Sequence, residues 1–427
     1  MLLAGLGLLV VLGVVLSENS WSSLRAPGGW WTAVGRLTGA VSAYAMACLL
    51  VLIARIPAIE RSAGQDRLVR WHRRLGPWVL WLVAIHVGTI TWGYAASMGT
   101  GFFAQLWQFI QHYPDVLMAV VAFGLLVMVG VTSIRNVRRR LAYETWWITH
   151  LYAYLALVLA YAHQVANGSA FLTHPLNRLC WAVLWGAVAA SVLVFRVGLP
   201  LWRNLRHRLE VAAVTEEAPG IYSLTLRGKH LERLAVSGGQ FLRFRFLTRE
   251  LWWHAHPYSL SALPKPPYLR LTVKGVGDQS SALAQLEVGT KVAIEGPYGV
   301  FTRHVRRRDQ VVLIGAGVGV TPLRALLEDL PQGLGVAVVL KARRAEELPH
   351  RAEIRQLVEQ RGGSYAEVLG DRHTAPLDRR ALRRLVPQLP DADLYCCGPA
   401  GFTASVVETA RALGCPEEQI HLEEFAF

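Results

Sequence analysis

Six apolar runs dominate the first 200 residues: Leu2–Leu16, Trp31–Ala54, Gly76–Tyr94, Val116–Val131, Thr145–Val165 and Trp181–Val197. A helix that crosses the hydrocarbon core needs about 20 residues, with a range of roughly 17 to 25. These runs predict six transmembrane helices. The first and fourth are short and call for tilt or a thin local bilayer. Leu2–Leu16 has a second reading as a cleaved signal sequence, but it lacks the basic start of one. After about residue 200 the composition becomes an ordinary soluble mixture, so a membrane half precedes a water-soluble half.

Arginine orients the helices. Arg55, Arg61, Arg67, Arg70, Arg73 and Arg74 lie between the second and third runs, and Arg135, Arg138, Arg139 and Arg140 between the fourth and fifth. Arg203, Arg206 and Arg208 follow the sixth, whereas the alternate loops hold only Arg25 and Arg178. Arginine-rich loops stay inside, so the soluble half is expected in the cytoplasm. The net charge of +14 is accounted for by topology and anionic lipid, and no nucleic-acid partner is implied. None of Cys48, Cys180, Cys396, Cys397 and Cys415 falls in an outer loop, so no external disulfide is expected. The Arg-rich piece after Val197 reads as a linker.

Histidine is the costly residue in these runs. His72 precedes the third and His86 lies within it, and the fifth holds both His150 and His163. The separations, 86 − 72 = 14 and 163 − 150 = 13 residues, each span about 20 Å at 1.5 Å per residue. Under the orientation above, His72 and His150 share the inner depth and His86 and His163 the outer. A lone histidine here would be a helix contact or an interfacial side chain. Four at matched depths point instead to two facing pairs, each able to supply both axial ligands of a haem iron. The angles are uneven. At 100° per residue His72 and His86 fall about 40° apart, but His150 and His163 about 140°. Helix five would need a bulge, a strong tilt or ligands reaching from its flanks. Arg36, near the outer end of the second run, is a cation within the membrane that needs an anion, and an outer-haem propionate would serve. Arg55, Arg73 and Arg74 are placed to do the same for the inner haem, or are plain topology signals.

In the soluble half, alternating stretches from Leu209 to about Thr302 predict a small antiparallel barrel. Within it, HPYSLSA (His256–Ala262) and VKGVGDQSSAL (Val273–Leu283) offer a flat ring in Tyr258, a hydroxyl in Ser259 and a cation in Lys274. Gly275 and Gly277 allow close backbone approach. Together these suit a flavin and a pyrophosphate. Next, VVLIGAGVGVTPLRALL (Val311–Leu327) runs from an apolar strand through a glycine turn into a helix, a place for a dinucleotide phosphate. Its spacing departs from G-x-G-x-x-G. VAVVLKARR and ADLYCCGP add strands to a doubly wound domain. Arg343 and Arg344, after a strand end, could hold a 2′-phosphate and favour NADPH, with NADH possible.

The HPYS segment, the glycine–Thr321–Pro322 turn, Cys397–Gly398–Pro399 and the tail IHLEEFAF together resemble the ferredoxin–NADP reductase family of flavoenzymes. Joined to six spans with paired histidines, the chain resembles the NADPH oxidase and ferric reductase superfamily, nearest its compact bacterial NADPH oxidases. The resemblance implies a six-helix bis-haem transmembrane domain over residues 1–203, an FAD-binding barrel over 204–304 and an NADPH-binding α/β domain over 305–427. It implies two haems b, FAD and NADPH. His72 with His150 would ligate the inner haem, and His86 with His163 the outer, with Arg36 near the outer haem and Arg73 near the inner. His256, Pro257, Tyr258 and Ser259 match the flavin motif, with Lys274, Gly275, Gly277 and Ser280 at its phosphates. Gly315, Gly317, Gly319, Thr321 and Pro322 match the nicotinamide-dinucleotide motif, with Cys397, Gly398 and Pro399 beside the nicotinamide. Phe425 or Phe427 would cover the flavin ring.

Two departures stand out. Animal superoxide producers carry a further histidine one turn beyond the outer ligand of span three, where this chain has Ile90. Calcium-binding and regulator-docking segments are not evident, so no obligatory regulatory subunit is implied. The expected activity is that of a superoxide-generating NAD(P)H oxidase in the bacterial cell membrane, moving electrons from cytoplasmic NADPH to dioxygen outside. The alternatives are a ferric-chelate reductase on the same electron path and an electron-delivery partner to a periplasmic redox protein. A haem-free transporter or anchor with a soluble reductase attached is a further rival.

Overall fold

The computed structural model describes residues 2–168 and 174–425. It divides into two compact units, residues 1–56 with 66–196, and residues 57–65 with 197–427.

The first unit is helical. Helices α1 (Leu2–Ser17), α2 (Gly29–Ile53), α3 (Gln65–Met98), α4 (Val116–Ser133), α5 (Tyr143–Asn167) and α6 (Pro175–Val192) coincide with the six apolar runs. Four stretches, Gly29–Ile53, Arg67–Met98, Val116–Ser133 and Pro175–His207, are long and apolar enough to cross a membrane. The helix of α1 is shorter. That of α5 has 25 residues, but Glu144, His150, His163 and Gln164 dilute its apolar character. Large apolar side chains such as Trp78, Trp81, Leu117, Val158 and Val183 face outward, as lipid contact requires. The buried face of α2 is largely small, with Ala40, Ala43 and Ala47, and larger side chains such as Leu126, Trp181 and Trp185 complete the core.

Helix five is not bulged. It runs as unbroken α-helix over Tyr143–Asn167, and the π-helical segment lies instead at Leu193–Gly198, after α6. The expected linker after Val197 is also helical, over Leu199–His207. A side chain explains its order. The Asn204 amide donates to Ile294 O at 3.1 Å and accepts from Ile294 N at 2.7 Å, completing a strand's hydrogen bonds with a side chain.

The second unit begins with strands β1 (Leu209–Ala218), β2 (Ile221–Arg227), β3 (Phe241–Phe246), β4 (His256–Ser259), β5 (Tyr268–Lys274) and β6 (Lys291–Tyr298). They form an antiparallel sheet in the order β4-β3-β6-β1-β2-β5. A bridge between Leu260, just past β4, and Leu271 of β5 joins the two edges. Closure removes exposed edges and wraps the core of Leu224, Leu226, Leu242, Phe244, Leu269 and Leu271. Strands β7 (Gln310–Ala316), β8 (Gly335–Ala342), β9 (Ser364–Leu369), β10 (Asp393–Pro399) and β11 (Ile420–Phe425) form a parallel sheet in the order β11-β10-β7-β8-β9. Separate apolar clusters cover its two faces, which is why β7 and β8 read as continuous apolar runs.

Candidate functional site

Within the helical unit His72 and His150 meet as a pair. The rings of His72 on α3 and His150 on α5 lie 6.2 Å apart between centroids, inclined at 65°. Two metal–nitrogen bonds of about 2 Å each, plus the depth of both rings, give a separation of roughly 6 Å for imidazoles facing one metal ion. The unbroken α5 therefore brings His150 to its partner without a bulge, one of the three devices that the angular count allowed. In the other layer His163 lies within the electrostatic reach of His86.

Each ring is oriented through Nδ1. His72 Nδ1 lies 3.2 Å from Leu49 O, and His86 Nδ1 lies 2.7 Å from Gly35 O. His150 Nδ1 lies 3.4 Å from the Ser133 hydroxyl and stacks on Trp146. In these three, a proton on Nδ1 leaves the Nε2 lone pair available to a metal. His163 differs, because Asn167 Nδ2 is its Nδ1 neighbour at 3.3 Å and also donates to Pro114 O at 2.7 Å.

The donor set also tests the fit of haem. Among the described residues no group of three or more His, Cys, Asp or Glu could hold a bare metal ion. Two imidazoles are too few for a bare transition metal, which usually takes four ligands. They suit a metal whose other donors come from a macrocycle. Arg36, half-buried on α2, makes no hydrogen bond or ion pair among the described residues. Its neighbour Gly35 holds His86, so this unpaired cation belongs to the layer of His86. Arg73 follows His72 on α3 and is exposed.

Sequence reasoning missed what seats His86. A Cβ on Gly39 would stand 2.6 Å from His86 Nδ1, and one on Gly35 would stand 2.9 Å from Ile90 N. Helix α2 thus presses its backbone against α3. The signal was present as small residues four apart, Gly35, Gly39, Ala43 and Ala47, a pattern that lets membrane helices approach closely. Ile90, where a further histidine was weighed, fills that contact. Arg196 was also missed. Set in the π-helical turn, it donates to Ile53 O at 3.0 Å, one turn beyond the Leu49 carbonyl that meets His72.

In the second unit, the chain passes from β7 to β8 and β9 on one side, then returns to β10 and β11 on the other. The switch point lies between β7 and β10, where open α/β sheets bind ligands. Gly315, Gly317 and Gly319 stand at the end of β7, and Cys397, Gly398 and Pro399 at the end of β10. A Cβ on Gly319 would meet Cys397 O at 2.5 Å, so only glycine allows this junction. Burial, reinforced by Glu423 and Cys396, pushes the Cys397 thiol well above its ordinary range, so it is neutral at pH 7. Phe425 pairs with Pro399 in the β10–β11 register, which brings its backbone to the same end. Phe427 lies outside the described residues. Strand β5 passes beside the Gly317–Gly319 turn, so the barrel motif and the glycine turn are neighbours.

Three buried side-chain atoms in these motifs have no partner among the described residues: His256 Nε2, Ser259 Oγ and Thr321 Oγ1. A buried polar atom without a partner is costly, so these mark where a bound molecule can complete the hydrogen bonding. They are what a flavin at β4 and a nucleotide at the glycine turn would need. Tyr258 stacks on His256 at 6.0 Å and 19°, and burial lifts its hydroxyl to about 12, keeping it neutral. Pro257 is exposed on the same strand. Lys274 is exposed, Gly275 N donates to Gly220 O at 2.9 Å, and Ser280 Oγ accepts from Val276 N and Gly277 N. Arg343 and Arg344 follow the end of β8, both exposed, with Arg344 paired to Glu347 at 3.2 Å.

Comparison with known proteins agrees with both halves. Residues 38–161 match the family described as ferric reductase like transmembrane component, a span holding His72, His86 and His150. Residues 221–302 match an FAD-binding domain. The chain is 33% identical to a flavohemoprotein of Chromobacterium violaceum over 281 residues, covering 57% of this chain and 68% of that protein. With a flavohemoprotein of Vibrio cholerae the figures are 34% over 180 residues, 39% and 45%. With one of Bacillus subtilis they are 28% over 232 residues, 50% and 58%. Among solved structures, the FAD/NAD binding domain of a Vibrio cholerae nitric oxide dioxygenase aligns at a TM-score of 0.44 and 28% identity, over 52% of this chain and 99% of that one. FAD is the cofactor this similarity supports.

Proposed function

Because the chain belongs to the NADPH oxidase and ferric reductase superfamily, we propose that it is an NADPH oxidase of the bacterial cell membrane. It moves electrons from cytoplasmic NADPH by way of FAD and two haems b to dioxygen outside, releasing superoxide. The three parts are residues 1–203 in the membrane, 204–304 for FAD and 305–427 for NADPH, and all six helices cross. The bound groups supply hydride acceptance and one-electron transfer, and the protein supplies position and electrostatics.

The roles of the residues follow from their places. His72 and His150 would hold the inner haem, and His86 and His163 the outer. The carbonyls of Leu49 and Gly35 keep a proton on Nδ1 of His72 and His86, which fixes the tautomer and raises ligand basicity. Arg36 answers a propionate in the outer layer, and Arg73 lies at the inner one. Ser259 and Tyr258 orient the flavin ring, Lys274, Gly275, Gly277 and Ser280 take its phosphates, and Phe425 covers it. Gly315, Gly317, Gly319, Thr321 and Pro322 seat the dinucleotide, Arg343 and Arg344 meet its 2′-phosphate, and Cys397–Pro399 border the nicotinamide. A neutral Cys397 thiol adds no charge beside a hydride in transit.

The observation that carries this reading is the His72–His150 spacing of 6.2 Å. The experiment is an assay of purified protein with NADPH, following oxygen uptake together with superoxide-dismutase-sensitive cytochrome c reduction. Both signals are expected. Turnover only with added ferric chelate would make the protein a ferric reductase, a second reading that Ile90 favours by leaving the outer layer without a further histidine.

A further inference from the structure

Helix Leu199–His207 leaves Leu201, Trp202 and Leu205 exposed by 56%, 51% and 62%. Beside it opens a cavity of about 380 Å3 lined by Leu205, Arg206, Arg208, Lys229, His230 and Arg233. Four of these are permanent cations and none is an acid. Among the described residues Arg206, Arg208, Lys229 and Arg233 make no ion pair. The nearby Glu232 is engaged with His230 at 3.6 Å. Like charges gathered around one cavity repel, and an anion placed between them removes that repulsion.

The cavity is built rather than incidental. His207 is buried, and its Nδ1 meets Lys229 O at 3.0 Å, while Lys229 N donates to His207 O at 2.7 Å. These bonds clamp the helix end to the turn that carries Lys229, His230 and Arg233. Arg208 and His230 are both left-handed without being glycine, at φ 44° and 54°, a conformation that persists only where surroundings enforce it. The Arg206 guanidinium lies 4.8 Å over the Trp202 ring, with its Nε buried and unpaired.

We propose that this cavity binds the phosphate of an anionic phospholipid headgroup, with Leu201, Trp202 and Leu205 against the adjoining acyl chains. The neighbouring apolar side chains decide between lipid and free phosphate, because a soluble anion gains nothing from exposed leucine and tryptophan. The helix also leads directly out of α6 through Leu193–Gly198. Tryptophan beside clustered arginine is the composition of a helix at a membrane surface. The site is independent of the redox reading above.

The test uses the full chain in nanodiscs of phosphatidylcholine alone, or with phosphatidylglycerol added, and follows hydrogen exchange in residues 199–208 and 228–234. Exchange should slow severalfold only with the anionic lipid. The double variant Arg206→Gln/Arg233→Gln, checked for folding by its flavin content, should lose that protection. Arg379→Gln/Arg380→Gln, on a separate exposed basic helix, should keep it. Equal exchange in both lipids, or equal loss in both variants, overturns the proposal. Protection by inorganic phosphate in phosphatidylcholine alone overturns it too, assigning the cavity to a soluble anion.

Discussion

In the layer of His86 and His163, two helix backbones touch, a glycine lies against the imidazole, and an unpaired arginine waits one residue from the carbonyl that holds it. In the layer of His72 and His150, the rings are held by longer contacts of 3.2 and 3.4 Å, and Trp146 and Arg196 stand nearby. His86 is seated by close packing against Gly39, which tolerates no added atoms, while His163 is met by the Asn167 side chain at 3.3 Å. His72 is held by the Leu49 backbone carbonyl, and His150 by the Ser133 hydroxyl and the Trp146 ring, side chains that can adjust. Packed contacts yield discretely and polar ones yield by degrees, so the two layers should fail differently.

The largest expected effect separates the layers outright. His86→Ala should remove the outer haem and His150→Ala the inner, each halving haem content while NADPH still reduces the flavin. A variant retaining two haems would dissolve the pairing. Next comes Gly39→Val, whose added atoms strike the His86 ring. It should cost the outer haem and spare the inner, as read by haem content. Retention of both would mean that α2 can retreat and that the outer layer is no tighter than the inner.

A smaller change probes a site outside both layers. Ser259→Ala removes a buried hydroxyl that has no partner within the protein. If the flavin is that partner, affinity should fall by about 1 kcal/mol, roughly fivefold, in a fluorescence titration. Unchanged affinity would give Ser259 a purely structural place. The smallest effect is expected from Arg196→Gln. Loss of a cation near His72 should lower the inner midpoint potential by roughly 60 mV or less, a tenfold change at most in a one-electron equilibrium. The outer potential should stay put, and an equal shift in both would end the distinction between the layers.

Much of this was legible in the residues. The apolar runs foretold six helices of the first unit but not Phe102–His112, and the alternating and continuous apolar patterns foretold an antiparallel and a parallel sheet. The approach of His72 to His150 was expected from their matched depth. What hid was whatever depends on a second helix. The angle between His150 and His163, counted on one ideal helix, left a bulge, a strong tilt and ligands reaching from the flanks all open, and the unbroken α5 removes the bulge. The π-turn came instead at Leu193–Gly198, with no signal in its apolar composition. The segment after Val197 read as a linker because its arginines are polar, and only Asn204 reaching Ile294 makes it a fixed helix. Gly35 and Gly39 carried their message in a spacing of four, which counts of hydrophobicity ignore. The switch point was implied by a glycine turn, but the strand order alone brings Cys397 to it.

The most direct measurement is the haem stoichiometry of the purified chain, by pyridine haemochrome against protein concentration. Two haems b per chain are predicted, falling to one in His86→Ala. A chain that binds its flavin yet carries no haem would contradict the account.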